Sequence, residues 1–211
     1  RCNPIFELSA TALNVITIVG AVTCLFAATI ALTQTDIKRV VAYSTVSQLA
    51  YMFVGCGVGA YGAGIFHLFT HAFFKALLFL GCGSIILGMH HEQDVKYMGG
   101  LKKYMPITYW TFLLATLSIS GIPGLAGFFS KDEILAMAFV SHVGAGKFAW
   151  AIGTLVAGIT AFYSFRLFFL IFHGEFRGTE EQRHHLKESP PVVTVPLIIL
   201  AIGAVASGWV G

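Results

Sequence analysis

Apolar residues run along this chain in long stretches free of Asp, Glu, Lys and Arg: Leu8 to Thr35, Val40 to Phe74, Tyr104 to Ser130, Phe148 to Phe165 and Ser189 to Gly211. A bilayer core about 30 Å thick needs about 20 helical residues to cross it, so each stretch is long enough to span. With glycine and proline read as punctuation, the chain divides into spans at 9–33, 36–58, 61–89, 106–140, 148–173 and 191–210. The segment from Gly55 to Gly64, GCGVGAYGAG, predicts a tight turn between the second and third spans. The longer polar connections, His90 to Lys103 and Gly174 to Pro190, hold most of the charge. No internal repeat of solenoid or propeller period is visible.

The fourth span is the ambiguous one, because 106–140 would be about 52 Å long as one continuous helix. It must break or cross twice. Gly121, Gly124, Gly127 and Pro123 cannot hold a helix interior together, which places the break near 121–127. Charge decides the crossing number. As one broken span, the segment leaves Lys38, Arg39, Lys96, Lys102, Lys103, Arg177, Arg183 and Lys187 on one face, with Lys147 and Arg1 opposite. Two full crossings would scatter them. The positive-inside rule therefore favours one discontinuous helix with the basic face cytoplasmic or matrix-side.

Composition agrees with a membrane protein, since 56% of the residues are hydrophobic and 11% are charged, against roughly one quarter charged in soluble chains. Disorder, nucleic-acid binding and an ordinary soluble catalytic domain all fit poorly, while the formal charge of +3 decides little. The fold class expected is all-α, a polytopic transmembrane bundle of about six spans with one discontinuous helix. The first span lies too close to an arginine-started terminus, and too many spans follow it, for a cleaved signal peptide. No methionine opens the chain, which points to a piece of a longer polypeptide. Cys2, Cys24, Cys56 and Cys82 stand singly without a C-x-x-C pair, against zinc, iron–sulfur or a disulfide scaffold, and read as buried free thiols.

Candidate chemistry concentrates in two spans. His67, His71 and Lys75 recur at i, i+4 and i+8, one stripe covering about 12 Å of depth. Histidine changes charge near neutral pH, and a lysine taken out of water gives up its proton more readily. Such a ladder can relay protons through bridging water; alternatively these groups are interhelical hydrogen-bonders. Three titratable residues on one apolar helix are costly enough to favour function. After the break, Ser130 and Glu133 have the spacing of a capping box, and Asp132 and Glu133 suit a helix N-terminus. Lys131 does not, because a first-turn cation opposes the helix dipole. A discontinuous helix with a central ionisable residue suits ion coupling; local pairing with Asp132 is the alternative.

In the second span Ser44, Ser47, Gln48 and Tyr51 share a polar stripe that can bond neighbouring helices or wet a pathway, and Lys38 and Arg39 read as interfacial anchors. Arg166 lies about two turns inside its span, open to snorkelling or function. His90, His91, Glu92 and Asp94, with His184 and His185, resemble metal clusters only by composition and read as solvated loop.

The segments Thr35-Asp-Ile-Lys-Arg-Val-Val-Ala-Tyr-Ser-Thr-Val-Ser-Gln48, His71-Ala-Phe-Phe-Lys-Ala-Leu-Leu-Phe-Leu80, His91-Glu-Gln-Asp-Val-Lys-Tyr-Met-Gly-Gly-Leu101 and Gly127-Phe-Phe-Ser-Lys-Asp-Glu-Ile-Leu135 together resemble the antiporter-like, proton-pumping subunit of NADH:quinone oxidoreductase, respiratory complex I. This subunit is called L in bacteria and chain 5 in mitochondria, and the resemblance covers nearly the whole chain. It implies two inverted five-helix repeats, of which residues 1–211 look like the second plus one following helix, a C-terminal-half fragment. A full member has further N-terminal helices and a C-terminal lateral helix. The family's proton pathway carries over onto His67, His71, Lys75 and Lys131, with Asp132 beside it; the residue pattern itself offers a further polar path at Lys38, Ser44, Ser47, Tyr51 and Arg166. With no flavin or nicotinamide fingerprint and no cysteine cluster, no cofactor is expected in this chain and the enzyme label belongs to the assembly; the resemblance implies a bacterial inner or mitochondrial inner membrane. Expected partners are other complex I membrane subunits, especially a neighbouring antiporter-like subunit, and the bilayer, but no nucleic acid. Two other readings remain: a subunit of a sodium or potassium/proton antiporter, and a haem-binding anchor using intramembrane histidines.

Overall fold

The structure is a computed structural model that describes residues 2–211, so the expected placement of Arg1 lies outside the described residues. It is all-α. The helices are α1 Asn3–Glu7, α2 Ala10–Thr33, α3 Ile37–Gly57, α4 Tyr61–Gly88, α5 Pro106–Ser120, α6 Ala126–Val140, α7 Gly146–Phe172, α8 Glu180–His185 and α9 Pro191–Ala206. Helices α2, α3, α4 and α7, with α9 extended through the short helical turn to Trp209, are long and apolar enough to cross a membrane.

Four of the helices begin where the sequence supplies a partner for a free N–H group or needs none. Ser9 and Asp36 accept from the backbone N–H of Ala12 at 3.2 Å and Arg39 at 2.9 Å, opening α2 and α3. Helices α5 and α9 open with Pro106 and Pro191, which have no N–H to satisfy. Helix α2 lays its small residues, Gly20, Ala21, Cys24, Ala27, Ala28 and Ala31, into the interior. A Cβ on Gly20 would stand 3.0 Å from the Val54 nitrogen, so glycine is what lets α2 and α3 approach backbone to backbone.

The two 15-residue helices α5 and α6 are the halves of the discontinuous span. Helix α5 starts at the basic end, where Glu188 accepts from Ile107 N–H at 2.7 Å. Helix α6 finishes at the opposite end, where Ser141 Oγ donates to Val58 O at 3.4 Å. Between them the backbone turns through Gly121 and Gly124, at φ +77° and +89°, in the left-handed region that suits glycine. The break covers 121–125, and Gly127 already belongs to α6.

Several local expectations are corrected. Helix α6 starts at Ala126 with Leu125 before it, so Ser130 and Glu133 form no capping box, and Lys131 sits in the second turn. The N-terminal partner comes from the other half: Ser118 Oγ accepts from Gly127 N–H at 3.2 Å. The glycine-rich segment at 55–64 is mostly helical, because the glycines serve close packing and α3 and α4 leave only 58–60 as the turn. Cys24 and Cys82 are buried, but Cys2 is exposed and Cys56 only partly covered. Arg166 Nη1 donates to Gln34 O at 3.2 Å, just past the end of α2 and at the basic end of the bundle, where a cation suits the helix C-terminus.

Candidate functional site

Helix α3 presents Val41, Ser44, Gln48 and Tyr51 along a 3.6-residue period, and α4 presents Lys75, His71 and His67 in the antiparallel sense. The two stripes meet in the interior. Lys75 Nζ donates to Val41 O at 3.1 Å, nearer the basic end. The His71 ring lies 6.1 Å from that of His67, and its buried Nε2 has no partner among the described residues. His67 is fully enclosed, with Nε2 3.2 Å from Gln48 Oε1 and Nδ1 2.9 Å from Ser130 Oγ. Thr70 Oγ1 joins the cluster at 2.8 Å from Ser130 Oγ.

Lys131 closes the row on the far side. The overlap of the two half-helices brings Lys131 Nζ to Ile119 O at 2.8 Å, and the same ammonium stands 5.5 Å from the centroid of the Tyr51 ring. Tyr51 in turn lies 6.3 Å, ring to ring, from His67. Its hydroxyl donates to Gly153 O on α7. Lys75 and Lys131 are both 4% exposed, and neither has a carboxylate within ion-pair distance: among the described residues the one ion pair is Arg183 with Glu180. A buried ammonium held by one neutral carbonyl is not locked in its charged form by an opposite charge.

Gln48 sets the tautomer of His67. With Oε1 toward the ring, Nε2 of His67 carries the proton and Nδ1 can accept only if the Ser130 hydroxyl turns to it from Ala126 O, to which it donates at 3.2 Å. Gln48 Nε2 is buried without a partner among the described residues in that orientation. Rotation of the amide offers it His67 Nε2 as acceptor and moves the ring proton to Nδ1. His67 thus has a hydrogen-bonded neighbour for either protonated nitrogen, which is what a proton-passing imidazole requires.

The structure gathers the expected residues unequally. His67, His71, Lys75 and Lys131 line the row, and Tyr51 stands between Lys131 and His67. Asp132 does not join them: about 100° further round the helix from Lys131, it is exposed and makes no side-chain hydrogen bond or ion pair among the described residues. Ser47 turns to α2, donating to Cys24 O at 3.0 Å. Ser44 accepts from Tyr163 Oη at 2.6 Å on α7. Beside this pair, Thr116, Ser164 and apolar neighbours line a cavity of about 10 Å³ that also touches Val41, about the size of one water centre. Lys38 is exposed at the start of α3, away from the row. The polar neighbours Thr70, Ser118 and Tyr163 are single hydroxyls in apolar sequence and carry no signal of their own; Ser130 bonds His67 from within α6 instead of capping it.

Comparison with known proteins places this arrangement in a family. A family model described as "NADH:quinone oxidoreductase/Mrp antiporter, TM" matches residues 1–160. NADH-quinone oxidoreductase subunit L of Neisseria meningitidis serogroup A is 49% identical over 100% of this chain and 34% of its own length. NAD(P)H-quinone oxidoreductase chain 5 of Picosynechococcus is 51% identical over 100% of this chain and 35% of its own. A chain in the structure of the membrane-bound sulfane sulfur reductase, an archaeal respiratory membrane complex, superposes with a TM-score of 0.83 at 30% identity, covering 94% of this chain and 32% of that one. The chain thus spans about one third of the length of the curated relatives it matches. With a broken helix, a buried lysine on each side of a histidine pair and a family match over most of its length, this chain belongs to the NADH:quinone oxidoreductase/Mrp antiporter transmembrane family.

Proposed function

We propose that this chain carries one proton-relay unit of an antiporter-like subunit of NADH:quinone oxidoreductase, set in a bacterial inner or mitochondrial inner membrane among other membrane subunits of that assembly. One observation carries the reading: Lys75 and Lys131, buried without carboxylate partners, flank His67 and His71, with His67 bonded at both ring nitrogens. In this reading Lys75 holds a proton near the basic end, His71 and His67 pass it inward, and Lys131 receives it at the joint of the broken helix. Water bridges the gaps that the side chains leave, and the partnerless Nε2 of His71 is one place where it would bond. Residues 1–211 correspond to the second inverted repeat and the helix after it. Electron transfer belongs to other subunits, in keeping with a sequence that has no nicotinamide or flavin fingerprint.

The test is Lys131→Arg in the full-length subunit, within the assembled complex in sealed vesicles. Arginine keeps the charge but does not deprotonate, so proton transfer is expected to fall nearly as far as in Lys131→Met. Normal transfer in an assembled Lys131→Arg complex would show that a fixed positive charge suffices and would overturn the relay. The family description also covers Mrp antiporters, and the subunits that copurify with the full-length protein separate the two assemblies.

A further inference from the structure

Two polar connections far apart in sequence meet at the basic end of the bundle. His90 and His91 follow α4 with φ of +53° and +67°, two successive non-glycine residues in the left-handed region. Histidine tolerates that region better than most residues, yet the conformation is still disfavoured for a side chain with a Cβ. The result turns the His90 ring toward α8, where it stands 4.4 Å, centroid to centroid, from the ring of His185. Both side chains are exposed, and among the described residues no ring nitrogen of either has a hydrogen-bond partner. Gln182, on α8, donates through Nε2 to Met89 O at 3.4 Å and holds the two segments together.

We propose that His90 and His185 form a two-histidine site for a divalent first-row transition-metal ion with an affinity for imidazole, such as Zn²⁺ or Cu²⁺. The spacing fits. A metal–nitrogen bond of about 2.0 Å plus about 1.1 Å from nitrogen to ring centre puts each centroid about 3.1 Å from the ion, so two cis ligands at about 90–110° have centroids roughly 4.4–5.1 Å apart. The observed 4.4 Å lies at the close end of that range. No group of three or more His, Cys, Asp or Glu could hold a metal among the described residues, so water completes the coordination and the affinity is that of two imidazoles. Occupancy would clamp the end of α4 to the connection leading into α9. The site is separate from the buried row, and binding to it does not depend on proton transport.

Copper(II) alone, titrated into the purified full chain in lipid nanodiscs and followed by electron paramagnetic resonance, tests the site. The expected result is one ion per chain with two imidazole nitrogens in its coordination. His90→Ala and His185→Ala should each remove one nitrogen and weaken binding at least tenfold, while His91→Ala and His184→Ala leave both unchanged. Cys2→Ser controls for the exposed thiol and should change nothing. A wild-type spectrum with one imidazole or none, or equal weakening by His91→Ala or His184→Ala, would overturn the proposal. Circular dichroism on each variant checks the fold, and these exposed substitutions are expected to leave it unaltered.

Discussion

Gly127→Ala tests the joint between the half-helices. A Cβ at this position would overlap the Ser118 carbonyl oxygen and stand 2.8 Å from its carbon, both backbone atoms that no side-chain rotation can move. The first turn of α6 must then slide off the last turn of α5. Overpacking of a fitted site costs about 1–3 kcal/mol, and loss of the Gly127 N–H bond to Ser118 Oγ adds about 1 kcal/mol. The expected destabilisation is therefore about 2–4 kcal/mol. The same shift carries Lys131 away from Ile119 O and Ser130 away from His67, so proton transfer should fall as well. Gly158→Ala is the control, since a Cβ there meets nothing within 4 Å on an ordinary helical backbone; it should be neutral or stabilise by up to about 1 kcal/mol. Both are measured by denaturant unfolding in mixed micelles, together with proton transfer in the assembled complex. A Gly127→Ala protein as stable as Gly158→Ala would refute the tight joint.

Lys75→Ala should leave assembly largely intact but lower proton transfer by about 10²-fold, as for the loss of a proton-transfer group; normal pumping stoichiometry in an assembled mutant would count against Lys75 as a rung. His67→Ala and His71→Ala should each be milder, because water can replace one missing rung. Asp132→Asn should change transfer by no more than about twofold, since substitutions away from an interaction network stay within about 0.5 kcal/mol; an effect as large as that of Lys131→Met would place Asp132 in the pathway. Glu188→Ala removes the acceptor for the N–H groups of Ile107 and Thr108 and the Thr108 hydroxyl, which should cost about 1–2 kcal/mol. Hydrogen exchange at those two amides should quicken, and unchanged exchange would refute the cap.

Local chemistry made the helices legible from the residues alone. The charge-free stretches mark membrane helices, because hydrocarbon leaves no water to satisfy a backbone outside a helix. The three glycines and Pro123 mark a break, and the i, i+4, i+8 spacing puts His67, His71 and Lys75 on one stripe whatever surrounds them. Tertiary structure decided which of these groups meet. Helix α6 starts four residues earlier than the apparent cap at Ser130 because its partner, Ser118, comes from α5. That start frees the Ser130 hydroxyl for His67. Asp132, next to Lys131 in sequence, faces outward because neighbouring helical residues diverge by about 100°, whereas Ile119, distant along the chain, supplies the carbonyl that Lys131 binds. The polar stripe of α3 divides among α2, α4 and α7, and His90 meets His185 across a fold that no local pattern encodes. Periodicity and capping act over one or two helical turns, so the sequence by itself carries them; hydrogen bonds between helices depend on how several faces pack at once, and that is settled only when the bundle closes.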